Sequence, residues 1–93
     1  MRTVKYSSRF KRDYRREKSG VRGRKLDGLL AEVVDLFIAD QPLPRRHADH
    51  QLSGEWQDFR DCHIRPDLVL IYRLPDADTI ELARLGSHSE LGL

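Results

Sequence analysis

The side chains in this sequence best suited to moving protons or holding a phosphate fall in its second half. His50, His63 and His88 supply imidazoles, Asp67 supplies a carboxylate directly after Pro66, and Arg84 supplies a guanidinium shortly before the last histidine. An imidazole titrates near pH 6.5, or about that, so it serves as acid or base around neutrality. A planar guanidinium grips phosphate oxygens in pairs and favours a transition state in which their charge grows. Gathered at one place, these groups suit the cleavage of RNA by its own 2′-hydroxyl. A base takes the 2′-OH proton, an acid protonates the leaving 5′-oxygen, and cationic donors hold the phosphorane. No metal is required.

Each residue also has a plain structural reading. His63 taken alone is better read as a strand residue satisfied by a neighbour, and Asp67 after a proline as turn chemistry. Arg84 could be a surface charge paired with Glu81 or Asp61, and His88 part of a tail. His47 and His50 form a His-x2-His pair, but no second pair stands at zinc spacing, and Cys62-His63 is a poor substitute. No metal site and no cofactor are therefore expected. Nothing near Cys62 marks a lowered pKa, so it reads as an interior strand position and not a nucleophile. G-x-S-x-G, P-loop and dinucleotide-binding patterns are all missing from the sequence.

These residues depend on the stretch from Trp56 to Arg73 for their placement. It reads as two strands, 56–64 and 68–74, around the turn Arg65-Pro66-Asp67. Leu68 to Tyr72 is wholly apolar, which predicts a strand covered on both faces. A further turn at Pro75-Asp76-Ala77-Asp78 leads to a third strand, 79–85, with clean alternation. In an antiparallel meander of the three, Arg84 returns to the sheet end that holds His63 and Asp67, with His88 just beyond. Whether they share a face depends on register, because a one-residue slip turns every side chain over. His50 precedes the meander, and only a folded-back loop brings it there.

Upstream, Thr3-Val4-Lys5-Tyr6 predicts a short strand. Ser7 or Ser8 caps a basic helix from Arg9 to Lys18, with Gly20 as its stop. Leu26, Leu29, Leu30, Val33, Val34, Phe37 and Ile38 recur at helical spacing, a single apolar stripe ended by Gln41-Pro42-Leu43-Pro44. Residues 41–55 read as a loop, and 86–93 as a loop or a short helical turn.

Ninety-three residues, 39% of them hydrophobic and 34% charged, predict one domain spanning 1–93 with a modest core. No apolar run approaches the roughly 20 residues that span a bilayer. The basic N-terminus has no apolar core or small-residue cleavage site, which excludes a secretory signal, and a single cysteine fits a reducing cytoplasm. The net charge of +2 hides a split. Residues 1–25 carry eleven Lys/Arg against Asp13 and Glu17, a net +9, while 26–93 carry a net −7. Such a basic face suits a polyanion, although a solvated helix pair that touches nothing has the same signature.

Several motifs together resemble one family. They are Asp49-His50-Gln51-Leu52, Gly54, Trp56, Phe59-Arg60-Asp61-x-His63-x-x-Pro66-Asp67-Leu68-x-Leu70-Ile71-Tyr72, and Arg84-x-Gly86-Ser87-His88-Ser89-x-Leu91. The pattern resembles the RelE/ParE superfamily, YafQ branch, the toxins of type II toxin–antitoxin pairs. The resemblance implies an α+β, RelE-like fold in β-α-α-β-β-β order, with two helices packed on a small, mostly antiparallel sheet. It implies ribosome-dependent, metal-independent cleavage of mRNA in the A site. It also implies neutralisation by a co-encoded, DNA-binding antitoxin in a hetero-oligomer, with no membrane partner.

Carried over by position, His50, His63, Asp67, Arg84 and His88 match the family's catalytic set. Arg84 is then assigned to the scissile phosphate, His88 to the general acid, and Asp67 helped by His63 or His50 to the general base. Arg9, Lys11, Arg12, Arg15, Arg16, Arg22, Arg24 and Lys25 would grip ribosomal RNA. Two departures stand out: Leu68 where the branch can carry a tryptophan, and Gly92-Leu93 where many relatives end in an aromatic. A ParE-like gyrase inhibitor, or a decayed toxin that only binds its antitoxin, are the rival readings.

Overall fold

The computed structural model describes residues 2–21 and 23–93. In chain order the elements are β1 (Thr3–Tyr6), α1 (Ser8–Ser19), α2 (Gly23–Ile38), β2 (His50–Gln51), β3 (Arg60–Arg65), β4 (Leu68–Asp76), β5 (Thr79–Gly86) and α3 (His88–Leu91). The strands form one sheet in the order β1-β5-β4-β3-β2, with β1 parallel to β5 and every other pair antiparallel. The architecture is α+β, as expected. Among the described residues no helix is long and apolar enough to cross a membrane.

The stripe on α2 becomes core. Leu26, Leu30, Val33 and Phe37 are buried against Leu68, Leu70 and Tyr72 of β4 and Ile80, Leu82 and Leu85 of β5. Each fully buried side chain of this size stabilises the fold by about 1.5–3 kcal/mol relative to exposure. Helix α1 starts where Ser7 accepts a hydrogen bond from the Phe10 N–H, and it ends at Gly20. Gly20 has φ −90°, so the stop is extended and not left-handed.

Residues 69 and 71 of β4 point to the opposite face, where Val69 and Ile71 join Ala83, Leu91, Leu52, Trp56 and Phe59 in a second cluster. Both faces of β4 are therefore covered, as its unbroken apolar run predicts. Pro75 falls where the β4–β5 register shifts between Arg73 and Asp76, so its missing N–H interrupts no regular ladder.

Two expectations are corrected. The strand predicted from Trp56 begins only at Arg60, and Gly54–Trp56 is a 3-10 turn. Trp56 and Phe59 are three apart, so a straight strand would send them to opposite faces; the turn lets both pack on the second cluster. Residues 41–55 are also not all loop. A 3-10 turn at Arg45–His47 leads into β2, which pairs with β3.

Where β1 ends, α1 takes over the edge of β5. Ser7 N–H and Oγ donate to the carbonyls of Leu82 and Ala83 at 3.0 and 2.7 Å. Further along the helix, buried Asp13 accepts the Leu85 N–H at 3.0 Å, and Arg16 donates to the Leu85 carbonyl at 3.0 Å. The Ser7 N–H and these side chains thus complete a strand edge that no neighbouring strand pairs there.

Candidate active site

Alternation along β3 decides which residues leave the core. Cys62 and Ile64 face the helices, so Asp61 and His63 face the other side of the sheet. β2 sets His50 opposite Asp61, and the His50 Nδ1 lies 2.9 Å from Asp61 Oδ1 and 3.0 Å from the Ala48 carbonyl. Both neighbours accept, so Nδ1 carries the proton, and Nε2 is the basic nitrogen of the neutral ring. With that proton directed to Ala48, buried Asp61 Oδ1 has no other hydrogen-bond partner among the described residues.

α3 brings in the third imidazole. Ser87 accepts from the Glu90 N–H at 3.2 Å while the Glu90 carboxylate accepts from the Ser87 N–H at 2.8 Å, a reciprocal cap that fixes the helix start. His88, the first residue inside, places its ring 5.1 Å from that of His63, edge to face. His50, Asp61 and His88 line a cavity of about 500 Å³, whose wall includes Leu52, Trp56 and Leu93. Burial raises the Asp61 carboxyl above the ordinary aspartate range; the charged forms of His50, His63 and His88 oppose that rise, and Asp49 adds to it.

The fold-back that carries His50 is held by three contacts. Asp49 accepts from Arg60 at 3.2 and 3.3 Å and from the Tyr72 hydroxyl. Buried His47 donates through Nδ1 to the His63 carbonyl at 2.7 Å, beside the point where the β3–β4 register shifts. The loop thus grips the same strand that carries Asp61 and His63.

Arg84 reaches this row of the sheet but turns elsewhere. Its backbone lies opposite Ile71, which lies opposite Asp61. Its Nε and Nη2 donate to Asp13 of α1 at 2.7 and 3.2 Å. Burial alone would raise the Asp13 carboxyl; the bonds from Arg84 and the Leu85 N–H, with the charges of Arg84 and Arg16, outweigh it and hold Asp13 low. Arg84 is raised in turn by its bond to Asp13, and the charge of Glu90 adds to this. Arg9, Arg12, Asp13 and Arg84 line a second, polar cavity of about 240 Å³.

Asp67 occupies the β3–β4 turn, exposed, in a loose ion pair with Arg65 at 3.9 Å, and it does not line the imidazole cavity. Of the basic residues, Arg9, Lys11, Arg12, Arg15, Arg16, Arg24 and Lys25 are exposed, and Arg22 lies outside the described residues. Arg16 is engaged with Asp13, Glu17 and Leu85 and serves the fold. Cys62 is buried, and burial pushes its thiol far up, as expected of an inert core position. Among the described residues no group of three or more His, Cys, Asp or Glu side chains could hold a metal ion.

Asp61 is the site residue that the sequence reading missed. It stands two before His63, and strand alternation alone was enough to put both on one face.

Residues 2–92 match the family model described as the bacterial toxin of type II toxin–antitoxin system, YafQ. The chain belongs to the YafQ toxin family. A putative toxin YafQ of Haemophilus influenzae is 36% identical over 97 residues, covering 97% of this chain and 91% of that protein. The mRNA interferase toxin YafQ of Escherichia coli is 33% identical over 91 residues, covering 97% and 95%. The crystal structure of the E. coli DinJ–YafQ complex contains a chain that superposes with a TM-score of 0.82 at 32% identity, covering 98% of both chains. The RelE-like fold expected for the YafQ branch is the fold found.

Proposed function

We propose that this toxin is an mRNA interferase, a ribosome-dependent endoribonuclease that uses the RNA's own 2′-hydroxyl. The observation that carries the reading is the His50–Asp61 contact in the cavity that His88 also lines. The Ala48 carbonyl and Asp61 together hold His50 with Nδ1 protonated, so Nε2 takes the 2′-OH proton. The freed 2′-oxygen attacks phosphorus and the P–O5′ bond breaks. His88 gives its proton to the departing 5′-oxygen, which leaves a 2′,3′-cyclic phosphate and a 5′-hydroxyl. His63, edge-on to His88, positions that ring.

The resemblance assigns the base to Asp67, helped by His63 or His50. The geometry favours His50, because Asp67 lies outside the cavity and His50 is oriented by a buried carboxylate. Asp67 is assigned to the rim, at the hairpin end. Arg84 keeps the phosphate role through Nη1, the nitrogen not engaged by Asp13, and Arg9 and Arg12 extend the cationic surface. The exposed arginines and lysines of α1 and α2 meet ribosomal RNA, and a co-encoded antitoxin, as in the complex solved for the relative, neutralises the toxin.

Primer extension on translated mRNA tests the reading. His88→Ala and His50→Ala each lower cleavage by about 10²–10⁴-fold, the usual contribution of a positioned acid or base. Wild-type cleavage by His88→Ala would overturn the assignment, and equal cutting of naked and translated mRNA would remove the ribosome from it.

A further inference from the structure

We infer that Trp56 is the platform on which a nucleobase of the RNA stacks while the adjoining phosphodiester lies in the imidazole cavity. The inference rests on the nuclease reading above and adds a recognition residue to it. Trp56 lines that cavity together with His50, Asp61 and His88, and its ring is half-buried. Beneath it lies the second apolar cluster of Val69, Ile71, Ala83 and Leu91. Phe59 meets it at a centroid distance of 5.2 Å and 87°, and the Arg73 guanidinium stands 5.4 Å over the Phe59 ring. The indole is therefore braced.

Its backbone is braced too. The Phe59 N–H donates to the Trp56 carbonyl at 2.8 Å, and the Gln57 N–H to Gly54 at 3.1 Å. The Gln51 amide, adjacent to His50, donates to the carbonyls of Gln57 and Phe59. One short strand thus fixes the spacing between the proposed base and the aromatic ring. A tryptophan that served packing alone has little reason to border an open polar cavity.

The remaining wall is formed by Leu52, Ser53, Gly54, Glu55, Gly92 and Leu93, none of which offers an aromatic face. Every base has a π-face, so a rigid indole holds whichever base the chain presents, with purines favoured by their larger ring. The chemistry fits an RNA base better than a peptide, because the imidazoles that share the cavity with the indole are the proton-transfer residues of the nuclease reading.

Trp56 is the sole tryptophan, so its indole N–H gives one NMR resonance. Titrating the ¹⁵N-labelled toxin with a 2′-O-methyl trinucleotide shifts that resonance, while an abasic trinucleotide of equal charge leaves it in place. Equal shifts from both, or none from either at millimolar concentration, overturn the proposal. On programmed ribosomes Trp56→Leu weakens cleavage by about 5- to 100-fold, mainly through KM, and Trp56→Phe restores most of it. Wild-type kinetics in Trp56→Leu alongside impaired neutralisation by the antitoxin would reassign the ring to a protein contact. If the wild type itself cuts no mRNA, the nuclease reading fails first and this proposal falls with it. If it cuts and Trp56→Leu cuts as well, only the platform fails.

Discussion

Replacing Asp61 by asparagine sets stability against activity. The Asp61 side chain is 2% exposed, and among the described residues its Oδ1 has only His50 within reach, in competition with Ala48. Burial raises its folded pKa above the unfolded one. The unfolded chain therefore ionises first as pH rises, and the folded state then holds more protons. Stability is accordingly full below the unfolded value of about 3.9 and declines as pH rises through the folded pKa. Asp61→Asn keeps the shape and removes this loss. An unsatisfied buried polar group costs about 1–3 kcal/mol and a charged one more, so the neutral amide gains on the order of 1 kcal/mol at pH 7. For a chain of this size that raises Tm by about 4–8 °C. The advantage shrinks to nothing near pH 3.5, or about that, where the carboxyl is neutral in both states. Because a neutral amide no longer sets a carboxylate beside the His50 ring to support its charged form, cleavage falls by about 10²-fold or more. Circular-dichroism melts across this pH range, with primer extension on the same samples, read both effects. A lower Tm for Asp61→Asn at pH 7 would show the carboxylate to be a well-satisfied partner and refute the reasoning.

Asp13→Ala removes the partner of Arg84 and the acceptor of the buried Leu85 N–H; urea unfolding should show a loss of about 3 kcal/mol, the low end for breaking a buried pair because Arg84 is partly solvated. Asp13 is held low, so its contribution is present above the ordinary aspartate pKa and disappears as pH falls through the lower folded value; acid titration of Asp13→Asn should lack that component. Ser87→Ala breaks the reciprocal cap of α3 and costs about 1 kcal/mol, but cleavage should fall more than stability because His88 starts that helix. Gly86→Ala should act alike, since a Cβ there would meet Glu90 Oε1 at 3.2 Å and Arg16 Nη2 at 3.0 Å. His47→Leu leaves the His63 carbonyl without its donor, and His47→Asn, which can supply an N–H at the same place, should recover cleavage; equal activity in both would show that the contact does not position His63.

Local periodicity made much of the fold legible. The α2 stripe recurs at helical spacing and the β4 run is apolar throughout, and each pattern states what its own backbone must bury. The motifs also marked His50, His63 and His88 as a set, because residue types able to transfer protons are visible without coordinates. Trp56 and Phe59 went the other way. Both suit a strand by propensity, and only their shared burial on the second cluster favours a turn.

By itself the sequence determined the element order, the apolar faces, the family motifs and the kinds of chemistry available, since these follow from composition and short-range spacing. Tertiary structure decided which of those groups can act together. Pairing of a two-residue strand set His50 on Asp61, and a register shift at Ala83 placed Arg84 in their row. Asp13, seventy-one residues away from Arg84 in sequence, then drew the guanidinium toward α1. The physical reason is that strand register and ion pairing are contacts between distant segments, settled only when the chain closes on itself.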